Sequence, residues 1–256
     1  MRENNSKSLR SQIENLKYDR DILIQELNAT SRLSSKRQTI SERIRIIDAK
    51  IIELKAKATK LEADYLKDSA AISILFVAAD PTNASRLRLG EEFREIQEKL
   101  KLAQWRDRFK LELPQMSARP ADLVQALLDV QPQIVHFSGH GTSTGALCFE
   151  NQKGEVHFVQ PDALAALFEQ FVNEVNCVLL NACYSEVQAK ALAEHVEYVI
   201  GMNQAIGDKA ALAFAIGFYQ ALGGGRTIED AYELGRVQIR LQNIPEHLTP
   251  VLVTKK

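Results

Sequence analysis

Glycine and proline are confined to the C-terminal two-thirds of the chain. The first proline is Pro81 and the first glycine is Gly90, although the 256-residue chain holds 12 glycines and 7 prolines. These residues allow tight turns and end helices. A stretch this long without them favours uninterrupted helices, whereas the remainder can form a fold with many turns. We therefore expect two parts, a helical segment at 1–70 and a second domain at 71–256.

The helical segment carries a narrow apolar stripe, in which the spacing alternates between four and three residues. The stripe consists of Ile40, Ile44, Ile47, Ile51, Leu54, Ala58, Leu61 and Tyr65. A weaker stripe precedes it at Leu9, Ile13, Leu16, Leu23 and Leu27. Such stripes are typical of coiled coils. We predict an antiparallel pair of helices, the second with Thr39 as N-cap and Glu42 completing a capping box. One long helix with a local interruption is the alternative.

A narrow apolar stripe must be covered by another helix. The cover can be the twin helix, a second copy of the chain or another protein. Residues 9–65 are therefore the expected surface for self-association or for a protein partner. A simple spacer or dimerisation arm and a dedicated recruitment module both remain open.

Charge, hydropathy and cysteine content exclude several classes of protein. The net charge is −1, with 32 basic and 33 acidic residues, so the basic excess typical of nucleic-acid binding is missing. No apolar run reaches the roughly 18 residues of a membrane-spanning helix, and the polar N-terminus does not resemble a signal peptide. An odd number of cysteines, 3, favours free thiols in the cytoplasm.

From Ile72 onward, short apolar runs alternate with helical patterns. The predicted strands are Ile72–Ala79, Phe109–Pro114, Ile134–Ser138, Cys177–Asn181, Tyr198–Met202 and Pro250–Thr254. The predicted helices lie at 86–103, 120–130, 161–172, 186–195, 208–222 and 227–242. This alternation predicts an α/β fold with a mostly parallel sheet and helices on both faces. Ala146–Glu150 and Glu155–Gln160 predict a small inserted hairpin.

In sheets of this kind, functional sites form at the carboxyl ends of the strands. One predicted strand ends just before His140, which lies between Gly139 and Gly141, and another ends just before Cys183. If these strands are neighbours, the imidazole can act as general base for the thiol. The N–H groups of Gly141 and Cys183 are then candidate donors to an oxyanion. On spacing alone, a purely structural Cys–His pair is equally acceptable.

The other cysteines and histidines suit catalysis less well. Cys177 begins the strand that ends before Cys183, so we expect it in the core. His136 lies inside a strand with Ser138 on the same face, and we expect both to support the catalytic pair from behind. The chain has no Cys-x-x-Cys, and the glycines around His140 prevent a helix that would aim two histidines at one metal. No metal and no cofactor is expected.

Two motifs resemble those of a known family. His136–Gly141 (HFSGHG) and Leu179–Ser185 (LLNACYS) are similar to the histidine and cysteine motifs of the CHAT family, which are caspase-like cysteine peptidases of clan CD. The opening at Ile74–Pro81 (ILFVAADP) is also similar. The resemblance covers about residues 72–255 and implies a caspase–haemoglobinase fold. It also implies hydrolysis of a protein or peptide through a thioester, with His140 as general base and Cys183 as nucleophile.

The resemblance further implies a specificity and a biological setting. Relatives such as separases and metacaspases cleave after a basic residue. Metacaspases carry an acid two positions before the cysteine, where this chain has Asn181, whereas Asp208 resembles an acid that separases and many CHAT proteins have. Asp208 would bind Arg or Lys through charge-assisted hydrogen bonds, and helix capping is its alternative role.

The family resemblance places such domains among effectors of bacterial stress, conflict or anti-phage systems. The alternative function is a non-catalytic coiled-coil scaffold or signalling protein that retains the caspase-like fold. The presence of both candidate catalytic residues, His140 and Cys183, favours the peptidase.

Overall fold

The protein divides into two compact units, Met1–Ser69 and Ala70–Lys256. The computed structural model describes residues 2–30, 35–68 and 71–255, without the side chains of 2–8, 35 and 61–68. The predicted stripe positions Leu61 and Tyr65 therefore lie outside the described side chains. Within the described ranges, no helix is long and apolar enough to cross a membrane.

The first unit is a helical hairpin, as predicted. Helix α1 spans Arg2–Ala29 and helix α2 spans Ser35–Asp68. Ile13 of α1 packs with Ile51 and Leu54 of α2, so members of the two apolar stripes meet. The alternative of one continuous helix is wrong.

The start of α2 differs from the prediction. The sequence predicts Thr39 as N-cap with Glu42 in a capping box, but α2 begins at Ser35, and both residues lie inside the helix. Lys, Arg and Gln, which occupy the three positions after Ser35, are good helix formers and carry the helix further back. The guanidinium of Arg37 also donates to the carbonyl oxygen of Leu27 at 2.8 Å, which satisfies a backbone acceptor at the end of α1.

The second unit alternates strands with helices. Its helices are α3 (Leu89–Leu102), α4 (Pro120–Val130), α5 (Pro161–Glu169), α6 (Glu186–Leu192), α7 (Asp208–Gly223) and α8 (Ile228–Leu241), with a 3-10 turn at Arg106–Arg108. Its strands are β1 (Ile72–Ala78), β2 (Phe109–Leu111), β3 (Ile134–Ser138), β4 (His140–Gly141), β5 (Leu147–Glu150), β6 (Val156–Val159), β7 (Cys177–Asn181), β8 (Tyr198–Met202) and β9 (Pro250–Thr254). Every predicted element is present, with ends that differ by at most a few residues.

Six of the described strands form one sheet in the order β2-β1-β3-β7-β8-β9. All pairs are parallel except the last, in which β9 runs antiparallel to β8. The side chains of one face pack against α4, α5 and α6, and those of the other face pack against α3, α7 and α8. Because both faces are covered, the strands are continuously apolar. The predicted α/β fold is confirmed.

A second, antiparallel sheet of the described residues contains β4, β5 and β6. Strands β5 and β6 are the predicted hairpin. Strand β4 is an addition to the prediction, and it pairs His140 with Cys148 and Gly141 with Leu147. The chain therefore leaves β3 and enters the small sheet directly, which places His140 at the junction of the two sheets.

The core predicts a large difference between two identical substitutions. Leu179 in β7 is fully buried, whereas Leu241 at the end of α8 is 71% exposed. Leu179→Ala should lower the free energy of unfolding by about 2–5 kcal/mol, because it removes buried methyl groups and leaves a cavity. Leu241→Ala should change it by less than about 0.5 kcal/mol. Urea unfolding followed by circular dichroism measures both, and equal effects would contradict the described core.

Candidate active site

The strands that precede His140 and Cys183 are paired neighbours. Strand β3 runs parallel to β7, and the last pair in their register is Ser138 with Asn181. Parallel strands end at the same edge of a sheet, and neighbouring strands lie about 4.8 Å apart. The segments that follow β3 and β7 therefore start side by side.

A cleft of about 360 Å³ opens at this edge of the sheet. Five of the residues predicted for the site line it, namely Ser138, His140, Asn181, Cys183 and Asp208. His136 is fully buried within β3 and lies outside the lining. The structure thus brings a histidine, a cysteine and an acidic side chain to one concave surface, the usual form of a ligand site.

The ring of His140 is held by a backbone carbonyl. Its Nε2 lies 2.7 Å from the carbonyl oxygen of Ser85. A carbonyl can only accept, so Nε2 carries the proton and Nδ1 of the neutral ring is an unprotonated base. Asp80 Oδ1 lies 4.0 Å from the same Nε2.

Cys183 lies in a tightly fixed turn after β7. The Ser185 hydroxyl donates to the carbonyl oxygen of Leu180 at 2.9 Å and accepts from the N–H of Met202 at 2.9 Å, so it joins β7 to β8. Tyr184 has a positive φ of 56°, which bulky residues rarely adopt. The sulfur of Cys183 accepts from the N–H of Ile206 at 3.4 Å, and the thiol donates to the carbonyl oxygen of the same residue at 3.7 Å.

The backbone at Gly141 touches the backbone at Cys183. A Cβ built on Gly141 would lie 2.0 Å from the carbonyl oxygen of Cys183. Only a residue without a Cβ permits this approach. The close contact brings the two candidate oxyanion donors, the N–H groups of Gly141 and Cys183, onto adjacent segments.

Cys183 differs from the other two cysteines in its surroundings. Cys148 and Cys177 are buried, whereas Cys183 is partly exposed. Burial raises the pKa of Cys148, and burial together with the nearby Glu229 charge raises the pKa of Cys177 further. Both thiols therefore stay protonated and inert.

At the wall of the cleft, Glu92 of α3 forms a buried polar cluster. It accepts from the Ser138 hydroxyl and from Asn181 Nδ2 at 2.5 Å. His136 Nε2 lies 3.1 Å from its Oε1, and His136 Nδ1 lies 3.2 Å from the hydroxyl of Tyr219. Burial alone would raise the pKa of Glu92, but the charge of His136 and the three polar contacts outweigh it and hold that pKa below its ordinary value.

The two residues predicted to bind substrate have different environments. Asn181 is buried, and its Oδ1 has no hydrogen-bond partner among the described residues. Asp208 is exposed at the first position of α7, and its carboxylate forms no hydrogen bond or ion pair within the described residues. The N-cap of α7 is Gly207, whose N–H donates to Glu246 at 2.7 Å. Asp208 is therefore not the cap of this helix.

Comparison with known proteins assigns the family. The CHAT domain matches residues 46–249. The chain belongs to the CHAT domain family. This match begins inside α2, earlier in the sequence than the motifs that first suggest the family.

Two curated relatives of this CHAT protein are named as proteases. One, a Roc-COR-CHAT protease from an unknown prokaryotic organism, is 25% identical over 178 residues, which are 67% of this chain and 17% of the relative. The other, a probable protease of Gillisia limnaea, is 25% identical over 182 residues, which are 67% of this chain and 32% of the relative. The chain thus spans at most about a third of either protein.

Sequence reasoning misses several contributors to this CHAT site, among them Ser85, Glu92, Tyr184 and Ile206. Ser85 and Ile206 act through backbone groups, which leave no mark on side-chain pattern. Glu92 does give a sequence signal, because it interrupts the buried apolar stripe of Leu89, Ile96 and Leu100 on α3. A charged residue on the apolar face of a helix requires a buried polar partner, and that signal points to the cluster.

The contact at Gly141 predicts opposite effects for two glycine substitutions. Gly141→Ala should lower the free energy of unfolding by about 1–3 kcal/mol, because the new Cβ overlaps the Cys183 carbonyl. Gly90 lies in α3 with no atom within 4 Å of a built Cβ. Gly90→Ala should therefore raise the free energy of unfolding by about 0.5–1 kcal/mol, since alanine favours the helix. Urea unfolding measures both, and a neutral Gly141→Ala would contradict the close backbone approach.

Proposed function

We propose that the protein is a cysteine endopeptidase in which His140 and Cys183 form the catalytic dyad. One observation carries the proposal. A histidine whose Nε2 is bound to a carbonyl and a partly exposed cysteine line the same cleft at the ends of two paired strands. The relatives named as proteases support the same class of reaction.

The residues support a thioester mechanism. Nδ1 of His140 takes the proton of the Cys183 thiol, and the thiolate attacks the carbonyl carbon of the peptide bond. The imidazolium then gives its proton to the leaving amine as the C–N bond breaks. Water, activated by the same nitrogen, hydrolyses the thioester and releases the acid product. The carbonyl of Ser85, 2.7 Å from Nε2, holds the ring while Nδ1 takes and returns the proton.

The N–H groups of Cys183 and Gly141 are the proposed donors to the oxyanion. Within the described residues no hydrogen bond engages the N–H of Cys183. The contact of Gly141 with Cys183 supports convergence of the two groups on one oxygen. A single donor of this kind is worth about 3–4 kcal/mol in the transition state.

Asp208 and Asn181 are the proposed determinants of specificity for Arg or Lys before the cut bond. Asp208 offers an exposed carboxylate on the cleft wall, and Asn181 Oδ1 is an acceptor without a partner among the described residues. A guanidinium or ammonium group can satisfy both.

The helical hairpin is the proposed contact surface of the protein. Beyond the stripe that α1 and α2 share, the hairpin keeps exposed apolar side chains, including Tyr18, Ile46 and Ile52. We assign residues 9–65 to self-association or to a protein partner, and the peptidase to a cytoplasmic stress or defence response in bacteria. The second assignment rests on the resemblance to the family alone.

The dyad predicts loss of activity in two variants. Cys183→Ala and His140→Ala should each reduce cleavage of fluorogenic peptides containing Arg or Lys by about 10³-fold or more, because neither can form the thioester efficiently. Cys177→Ala and His157→Ala, which change the same residue types away from the cleft, should retain activity. If all four variants and the parent protein are equally inert with candidate partners added, the scaffold is the better description.

The proposed specificity for Arg or Lys predicts that a substitution of Asp208 changes the kinetics of peptide cleavage. Asp208→Asn should lower kcat/KM for Arg and Lys peptides by about 10- to 100-fold, since a hydrogen bond to a charged group is worth about 1.5–3 kcal/mol. The control is Asp162→Asn, which removes an aspartate from the first turn of α5 and so changes the helix-end charge equally. Equal kinetics for the two variants would assign Asp208 to the helix and not to the substrate.

A further inference from the structure

Glu92 is a charged residue buried where an apolar one would be expected. It lies on the face of α3 that packs on the sheet, and only 6% of it is exposed. Burying a carboxylate is strongly unfavourable unless hydrogen bonds and an opposite charge compensate it. The three polar partners of Glu92 provide this compensation, so its position serves something other than packing.

The partners of Glu92 occupy equivalent places on two strands. Ser138, the last residue of β3, donates to Oε2 and stands two positions before His140. Asn181, the last residue of β7, donates to Oε1 and stands two positions before Cys183. One carboxylate therefore bridges the ends of the two strands that carry the dyad.

The bridge lies where the backbone ladder stops. Ser138 and Asn181 are the last paired residues of β3 and β7, and a 3.3 Å hydrogen bond from the N–H of Gly139 to the carbonyl of Asn181 follows them. Beyond that point His140 enters the small sheet and Cys183 enters a turn. The side-chain bridge thus acts at the place where the two segments part.

We propose that Glu92 is a positioning residue, which sets the relative placement of His140 and Cys183 by holding Ser138 and Asn181 together. The inference rests on the proposed dyad. His136 Nε2 lies 3.1 Å from the same carboxylate, and His136 Nδ1 lies 3.2 Å from the hydroxyl of Tyr219. An ionised carboxylate is acceptor-only, so both of its oxygens can receive the two strand-end donors at once.

The amide of glutamine cannot accept from both strand ends with two oxygens. In Glu92→Gln one oxygen is replaced by an NH₂ group. If this group faces Asn181 Nδ2, two donors meet; if it faces Ser138, the hydroxyl must turn to accept and its own proton loses its buried acceptor. In the double variant Glu92→Gln/Asn181→Asp the groups are exchanged, because the glutamine amide donates to the new carboxylate. The exchange restores the bridge and leaves the side-chain volumes almost unchanged.

The test measures alkylation of Cys183 by iodoacetamide at neutral pH, with the modified peptide quantified by mass spectrometry. This readout needs no substrate, and Cys148 and Cys177 are buried. We expect Glu92→Gln to slow alkylation by about tenfold or more, since a misplacement of about 1 Å in a reacting pair can cost 100-fold. The double variant should recover most of the loss. Glu95→Gln, on the same helix and paired with Lys99, should match the parent protein.

Peptide kinetics give a second readout that a structural role would not produce. In Glu92→Gln we expect the fall in kcat to exceed any rise in KM, since Asn181, which Glu92 holds, is also a proposed substrate contact. A rise of KM with unchanged kcat would overturn the proposal, because it would make Glu92 a substrate-binding residue. Near-UV circular dichroism checks folding, and if Glu92→Gln does not fold, Ser138→Ala removes one half of the bridge and should slow alkylation in a folded protein.

The outcomes separate this inference from the dyad itself. If His140→Ala leaves the alkylation rate unchanged, the dyad fails and the role of Glu92 fails with it. If His140→Ala slows alkylation but folded Glu92→Gln does not, the dyad stands and the positioning role is overturned. Slow alkylation in Glu92→Gln that the double variant does not restore would also overturn the bridge.

Discussion

The parallel pairing of β3 with β7 is the constraint on which the site depends. Their register runs from Ile134 with Cys177 to Ser138 with Asn181, and backbone hydrogen bonds maintain it. A slip of one residue would turn every side chain of a strand to the opposite face. Since both faces are packed with apolar side chains, the core itself resists such a slip. The same packing therefore fixes the level at which both strands end and the direction in which Ser138 and Asn181 point.

Beyond the ladder, short-range contacts replace strand pairing. The missing Cβ of Gly141 lets one segment touch the carbonyl of Cys183, and Ser185 binds the cysteine turn to β7 and β8. These bonds also keep Tyr184 at its positive φ, which costs about 1–3 kcal/mol. A strained residue next to the proposed nucleophile is consistent with a turn selected for where it points the sulfur.

The sequence predicts most of the fold because tertiary and local signals agree there. Cys177–Asn181 and Tyr198–Met202 are continuous apolar runs between helical patterns, and both are strands with the predicted ends. The sequence does not predict strand β4, because two residues, one of them a glycine, are too few to show a periodic pattern. The prediction of Thr39 as N-cap is wrong because the residues before it are good helix formers, and they extend the helix past the local capping pattern.

The candidate site, like the fold, is predicted only in part. Strand ends place His140 and Cys183, and this placement needs only the order of the strands. The partner of His140 Nε2 is the carbonyl of Ser85, and every residue has a carbonyl, so sequence cannot single it out. The role of Glu92 depends on which helix covers β3 and β7. This is a property of the tertiary structure, and the periodicity of the sequence does not reveal it.

Glu92, Asp80 and Asp208, three of the carboxylates near the cleft, differ chiefly in their access to water. Glu92 is buried, and its two oxygens already accept hydrogen bonds from Ser138 and Asn181. Asp80 shares its charge between His140 and Arg86, whose guanidinium lies 3.1 Å away. Asp208 is exposed and has no partner among the described residues. A carboxylate that is already paired gains little free energy from binding a further cation, whereas an unpaired carboxylate gains a full ionic interaction. Burial and pairing thus favour Glu92 for holding the strand ends and Asp208 for binding the ligand.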